Sequence, residues 1–234
     1  MQQAAALKRF PTPASVQAIV VDLDGTLLHT APELAGAANR MLRDMDYAPV
    51  SQELLASYIG NGIGWLVKRA LTGDMHATPD AALYEHALPI FEKHYNELLL
   101  GSKPYRGVIE GLEAMCAASF RLGCITNKAA RFTGPLLEGT GLAKYFEIVV
   151  SGDTLPEKKP HPLPLLHAAK FFGAPIEQLL LIGDSLNDTL AARAAGCPVF
   201  CVPYGYNHGE PVENLDTDAV IADLPAALPL IKRA

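Results

Sequence analysis

Short apolar runs and longer segments of helical period alternate along most of the chain. Val16 to Leu23 (VQAIVVDL) is a β-branched run and predicts a buried strand. Between Pro32 and Met45, Leu34, Ala37, Ala38, Met41, Leu42 and Met45 recur at helical spacing. Ser51 before Glu53-Leu54-Leu55 marks a second helix start, and Ile63 to Leu71 a third helix after a Gly-rich turn. Thr78-Pro79-Asp80 predicts a cap with proline in the first turn, opening a helix that runs to about Leu100. Gly101 to Gly107 (GSKPYRG) reads as a linker.

Beyond the linker the pattern changes. Helices are predicted over Val108 to Ser119, Ala129 to Gly139, Pro162 to Phe172 and Asn187 to Ala195. Strands are predicted over Leu122 to Thr126, Phe146 to Ser151, Leu179 to Ile182 and Val199 to Val202. Ala219 to Ala222 offers one more strand before a last helix. Such alternation builds βαβ units, hence an α/β fold: a doubly wound, Rossmann-like parallel sheet with helices on both faces. The stretch 29–102 has only helical signals and reads as an all-helical insertion, a cap. The core is then 16–28 and 103–234. Residues 1–15, with Lys8, Arg9, Pro11 and Pro13, read as a poorly ordered extension, a short targeting leader being the alternative.

Composition narrows the partners. The chain has 234 residues, 50% of them hydrophobic, which suffices for a large core. Its 25 acidic and 19 basic residues give a formal charge of −6, which argues against nucleic acid or an anionic membrane as partner. No apolar run is long enough to span a bilayer. The cysteines Cys116, Cys124, Cys197 and Cys201 form no CxxC pair and read as reduced thiols, giving an expectation of a cytoplasmic protein.

Four short motifs fall at predicted strand ends: Asp22-Leu23-Asp24-Gly25-Thr26, Thr126-Asn127-Lys128, Lys159-Pro160 and Gly183-Asp184-Ser185-Leu186-Asn187-Asp188. In open parallel sheets ligands bind beyond the carboxyl ends of the strands, so all four should converge. Carboxylates gathered in one place repel each other unless a cation holds them. With only hard oxygen donors on offer, that cation is Mg²⁺. Lys159, Thr126 and backbone amides after Asp22 are suited to phosphate oxygens. A carboxylate facing a phosphate can act as a nucleophile, and a second one two residues on can serve as acid and base.

Each motif alone is weak, but the four in order resemble the haloacid dehalogenase-like phosphatases from about Val16 onward. The resemblance implies that Asp22 is nucleophile and metal ligand. It implies that Asp24 is general acid/base, with its backbone carbonyl also on the metal, and that Asp184 is the remaining protein ligand. Thr126, Asn127 and Lys159 correspond to phosphate-binding residues, and the helical stretch resembles a cap that closes over the substrate. Tyr58-Ile59-Gly60-Asn61-Gly62, Lys103 to Val108 (KPYRGV), Lys158 to Pro162 (KKPHP) and Tyr204-Gly205-Tyr206-Asn207 narrow the likeness to bacterial phosphoglycolate phosphatases, which hydrolyse 2-phosphoglycolate to glycolate and phosphate. His29-Thr30 departs from the usual Asp-Ser, at a place expected to lie near the cap hinge and away from the chemical residues.

Plainer roles compete at several positions. Asp22 and Asp24 are turn formers, Thr126-Asn127-Lys128 could cap a helix, and Lys158 reads as a solvated loop lysine. Asp188 either caps the helix after the strand or supports the metal site. Gly60-Asn61-Gly62-Ile63-Gly64 lacks the spacing of a dinucleotide loop, and is either a turn or a substrate-facing loop. Arg106 reads as a hinge-region surface arginine or a carboxylate anchor. The leading function is an Mg²⁺-dependent phosphatase on a small phosphorylated metabolite, as a monomer or homodimer. A sugar-phosphate mutase and a phospho-accepting signalling domain are the alternatives, since fold alone does not separate them.

Overall fold

The computed structural model describes residues 10–234, so the reading of Met1 to Arg9 as disordered lies outside the described residues. The chain begins with β1 (Ala14–Val16), β2 (Ala18–Val21) and β3 (Leu28–His29). Four helices follow: α1 (Ala31–Asp44), α2 (Gln52–Ser57), α3 (Ile63–Thr72) and α4 (Ala81–Leu98). After a 3₁₀ turn come β4 (Lys103–Pro104), α5 (Val108–Ala117), β5 (Arg121–Ile125), α6 (Ala130–Gly139) and β6 (Ile148–Val150). Then α7 (Leu163–Phe172), β7 (Leu179–Gly183), α8 (Leu186–Ala195), β8 (Val199–Cys201), β9 (Ala219–Val220) and β10 (Ile231–Arg233) complete the order.

The main sheet runs β6-β5-β2-β7-β8-β9, and every pair in it is parallel. Both faces are covered, and the strands show it residue by residue. Ile19, Val21, Leu180, Ile182 and Phe200 enter one core; Ala18, Val20, Leu179, Leu181, Val199 and Cys201 enter the other. Successive side chains of a strand point to opposite faces, so a continuous apolar run supplies two cores at once. The chain leaves β2 for β5 and β6, then returns to β7 on the other side of β2. That reversal opens a crevice at the carboxyl ends of β2 and β7.

The first predicted strand is two strands. Gln17 separates β1 from β2, its N–H donating to the Gln178 carbonyl (2.9 Å). β1 pairs in parallel with β10, apart from the main sheet, so Ala14 and Ser15 belong to a strand and not to a disordered extension. The predicted last helix is a 3₁₀ turn at Pro225–Leu230 followed by β10. Pro229 within that turn lacks an N–H and prevents a longer helix.

The helical stretch packs α1 along α4 through residues such as Leu34, Ala38, Met41, Phe91 and Tyr95. The N-cap of α4 is Asp80, whose carboxylate accepts from Ala82 N (2.9 Å). Pro79 therefore precedes the helix instead of occupying its first turn. β3 and β4, paired antiparallel, form the two-stranded ribbon through which the chain enters and leaves these helices.

Candidate active site

Asp22 follows β2, Thr126 follows β5 and Asp184 follows β7, and these neighbouring strands bring the three to one sheet edge. Lys159 arrives on the loop after β6. Its side chain is buried, and all three of its N–H donors are engaged: Asp188 Oδ1 at 2.6 Å, the Ile125 carbonyl at 2.8 Å and Asp22 Oδ1 at 2.9 Å. Burial alone would lower its pKa, but Asp188 and Asp22 outweigh it and raise the pKa above the ordinary lysine value. The ammonium is held charged.

The acids are less comfortable. One carboxylate oxygen from each of Asp22, Asp184 and Asp188 lies within 4.8 Å of the others. Burial is the main cause that raises the Asp22 pKa to about 7, and Lys159 only partly offsets it. Burial also raises that of Asp184, with Asp188 and Asp22 adding to the effect. Asp188 differs, because its oxygens are occupied. Oδ2 accepts from Ser185 N (3.1 Å) and Ser185 Oγ (2.8 Å), closing a capping box at the start of α8, and Oδ1 accepts from Lys159. It caps the helix and anchors Lys159 at once.

Asp184 is gripped by Thr26 Oγ1 (3.1 Å) and by the backbone N–H of Tyr206. A Cβ at Gly25 or Gly205 would stand 2.3 or 2.2 Å from Asp184 Oδ2, so only glycine admits the carboxylate there. Gly25 also has φ +87°, the left-handed region. The Asp-Gly-Thr of the first motif and the Tyr-Gly-Tyr of the 204–206 loop are thus two sides of one clamp. A cluster of buried, partly uncompensated oxygen donors fits a hard divalent cation, which Asp22, Asp184 and Asp188 are placed to hold directly or to support.

Asp24, the other predicted chemical carboxylate, accepts from Thr30 Oγ1 (2.7 Å) and is paired with Lys128 Nζ (2.8 Å). Thr126 is buried beside it, its Oγ1 accepting from Lys128 N (3.2 Å), and Asn127 Nδ2 donates to the Lys159 carbonyl (2.8 Å). All of the predicted site residues except Asp188 line one pocket, together with Gly60, Asn61, Gly62 and Ile63 of the helical stretch. The Gly-rich loop therefore faces the site. It is braced by buried Arg69, which donates to the Tyr58 carbonyl (2.7 Å) and Asn61 Oδ1 (3.2 Å).

Three residues read otherwise from sequence belong here. Lys128, not singled out, holds Asp24. Lys158 is not solvated: it is half-buried and donates to the Asn61 carbonyl across the gap to the helical stretch (2.8 Å). Thr30, expected to lie away from the chemistry, touches Asp24, and His29 Nδ1 meets Tyr105 OH (3.0 Å) and Tyr206 OH (2.9 Å). Arg106 is exposed. The available signal for the lysines was position, since Lys128 closes the second motif and Lys158 stands next to Lys159.

Comparison with known proteins agrees with this geometry. The family model of the haloacid dehalogenase-like hydrolases matches residues 19–202. The chain belongs to this family. Among relatives, a phosphoglycolate phosphatase of Thiobacillus denitrificans is 57% identical over 97% of this chain and 100% of its own length. One of Nitrosospira multiformis is 53% identical over 96% and 99%. A crystal structure of a predicted phosphoglycolate phosphatase from Haemophilus somnus superimposes with a TM-score of 0.84 at 33% identity, covering 91% of this chain and 96% of that one. As a haloacid dehalogenase-like hydrolase, the chain uses the doubly wound sheet with helices on both faces. Among the described residues no helix is long and apolar enough to cross a membrane.

Proposed function

We propose that this hydrolase is an Mg²⁺-dependent phosphomonoesterase that converts 2-phosphoglycolate to glycolate and phosphate. The observation that carries the reading is the Asp22–Lys159–Asp188 arrangement: a carboxylate beside a buried, fully hydrogen-bonded lysine at the carboxyl end of a parallel sheet. The full-length identity to phosphoglycolate phosphatases supports the choice of substrate.

In this reading Asp22 attacks phosphorus in line and forms an aspartyl-phosphate. Lys159 neutralises charge on the phosphoryl oxygens, and Thr126 and Asn127 orient them. Asp24 gives a proton to the leaving oxygen and then takes one from the attacking water. Asp22, Asp184 and the Asp24 carbonyl would hold Mg²⁺, which would supply charge neutralisation and Lewis-acid polarisation of the phosphate. Residues 29–102 act as the cap, closing by way of the β3–β4 ribbon and excluding water from the pocket. The buried thiols Cys124, Cys197 and Cys201 suit a reducing, cytosolic setting.

The test is phosphate release from 2-phosphoglycolate with and without Mg²⁺, for the wild type and Asp22→Asn. The reading expects release only with the metal, and none from the variant. Full activity of Asp22→Asn would refute the covalent route, and an isomerised product without free phosphate would point to a mutase.

A further inference from the structure

A groove of about 300 Å³ adjoins the acidic pocket. Its outer walls include Trp65, Lys68 and Tyr84 of the helical stretch, with Asp153 and Lys158 of the loop after β6. It shares Asn61, Gly62, Ile63 and Asn127 with the pocket that contains Asp22, so the two adjoin along that loop.

A phosphorylated acid brings two negative groups, and the second one needs a cation. Within the acidic pocket both lysines already have carboxylate partners: Lys159 has Asp22 and Asp188, and Lys128 has Asp24. Among the residues lining pocket and groove, Lys68 and Lys158 are the remaining cations. Lys158 is tied to the Asn61 carbonyl (2.8 Å) and is half-buried, so it fixes the loop. Lys68 is different. Its ammonium sits over two rings, 5.0 Å from the centre of Trp65 and 5.1 Å from that of Tyr84. Ring faces attract an ammonium without taking up its hydrogen-bond donors one by one. Among the described residues it has no salt-bridge partner. The acid of the groove, Asp153, is occupied at the start of α6, accepting from Ala130 N (2.8 Å).

We propose that Lys68 is a specificity-determining residue, its ammonium held between Trp65 and Tyr84 to bind the carboxylate of a phosphorylated hydroxy acid. The proposal rests on the phosphatase reading and adds to it the group that distinguishes an acidic leaving group from a neutral one. Charge selection then comes from the helical stretch, while phosphate recognition belongs to the sheet edge.

The experiment compares two esters on the full chain with Mg²⁺: 2-phosphoglycolate, and 2-hydroxyethyl phosphate, in which an alcohol replaces the carboxylate. Lys68→Met keeps the apolar stem and removes the charge. The expected result is a fall of about 10- to 100-fold in kcat/KM for 2-phosphoglycolate, mostly through KM, the span of one charged hydrogen bond. Activity on 2-hydroxyethyl phosphate should stay within about twofold, which also shows that the variant is folded, and Lys68→Arg should restore part of the loss. Equal losses on both esters, or none on either, overturn the proposal. If the wild type ignores 2-phosphoglycolate yet cleaves other esters, the substrate reading fails by itself. The Lys68 proposal is then decided by 3-phosphoglycerate against glycerol 1-phosphate: a loss confined to the acid supports it, and an even loss or no loss removes it.

Discussion

Lys128 Nζ lies 2.8 Å from Asp24 Oδ1, with the lysine side chain 2% exposed and the aspartate 16%. The contact joins a residue of the second motif to the proposed acid/base of the first. Together with Thr30 Oγ1, it fixes where that carboxylate stands. Lys128→Met should therefore slow breakdown of the aspartyl-phosphate, in which Asp24 has to direct a free water, more than its formation, in which the substrate is already held in place. Quenched-flow with labelled substrate should find more covalent phosphate at steady state than in the wild type. A lower level would contradict this role. Folding stability should drop by about 1–3 kcal/mol, since a largely buried partner is left without its bond.

The acid cluster makes stability depend on both protons and metal. In metal-free protein Asp22 has its pKa raised to about 7 by burial, and burial raises Asp184 as well. The folded state thus holds protons that the unfolded chain has released above about pH 4. More protons bound in the folded state means that stability falls as pH rises through that window. His208, whose pKa burial lowers, acts in the opposite sense, so the useful readout is the difference from Asp22→Asn. Between about pH 5 and 7.5, the Tm of the metal-free wild type should decline relative to that variant, and excess Mg²⁺ should cancel the decline. A wild-type Tm that rises relative to Asp22→Asn would count against an uncompensated carboxylate.

Tyr206 links the site to the β3–β4 ribbon and the start of α1. Its N–H donates to Asp184, and its hydroxyl meets His29 Nδ1 (2.9 Å), the Ala31 N–H (2.9 Å) and Tyr105 OH (3.1 Å). Tyr206→Phe keeps the backbone bond to Asp184 and removes only the bonds to the ribbon and α1. KM should rise several-fold while the Mg²⁺ concentration for half activity stays the same, and stability should fall by about 1 kcal/mol. A change confined to the metal requirement would mean that the hydroxyl serves Asp184 and not the ribbon.

The strand-end motifs were readable because a parallel sheet converts sequence order into convergence: Asp22, Thr126 and Asp184 each follow a short apolar run. The helical stretch was readable from its period. The contacts of Lys128 and Lys158 were not, because each is made across a gap between segments remote in sequence, 104 and 97 residues apart; that of Thr30 with Asp24, six residues away, depends on how the chain turns after the first motif. β1 and β10 were missed for a related reason. Ala14–Val16 is too short to signal a strand alone, and exists only because Ile231–Arg233 lies beside it. The Gln17 break is likewise tertiary, since a separate pairing partner, not a turn residue, ends β1.

The place of β2 at the middle of the sheet governs the order in which the protein can assemble. Both of its neighbours are made after it, β5 only once the whole helical stretch has been synthesised and β7 later still. Until then Ala18–Val21, buried at every residue in the finished molecule, has two unpaired edges and two apolar faces. Long-range parallel pairing of this kind is slow to form, and the waiting intermediate is sticky. The arrangement that gathers remote carboxylates into one site therefore makes the nascent chain vulnerable to aggregation. The yield of refolded enzyme should depend on protein concentration more steeply than its final stability suggests.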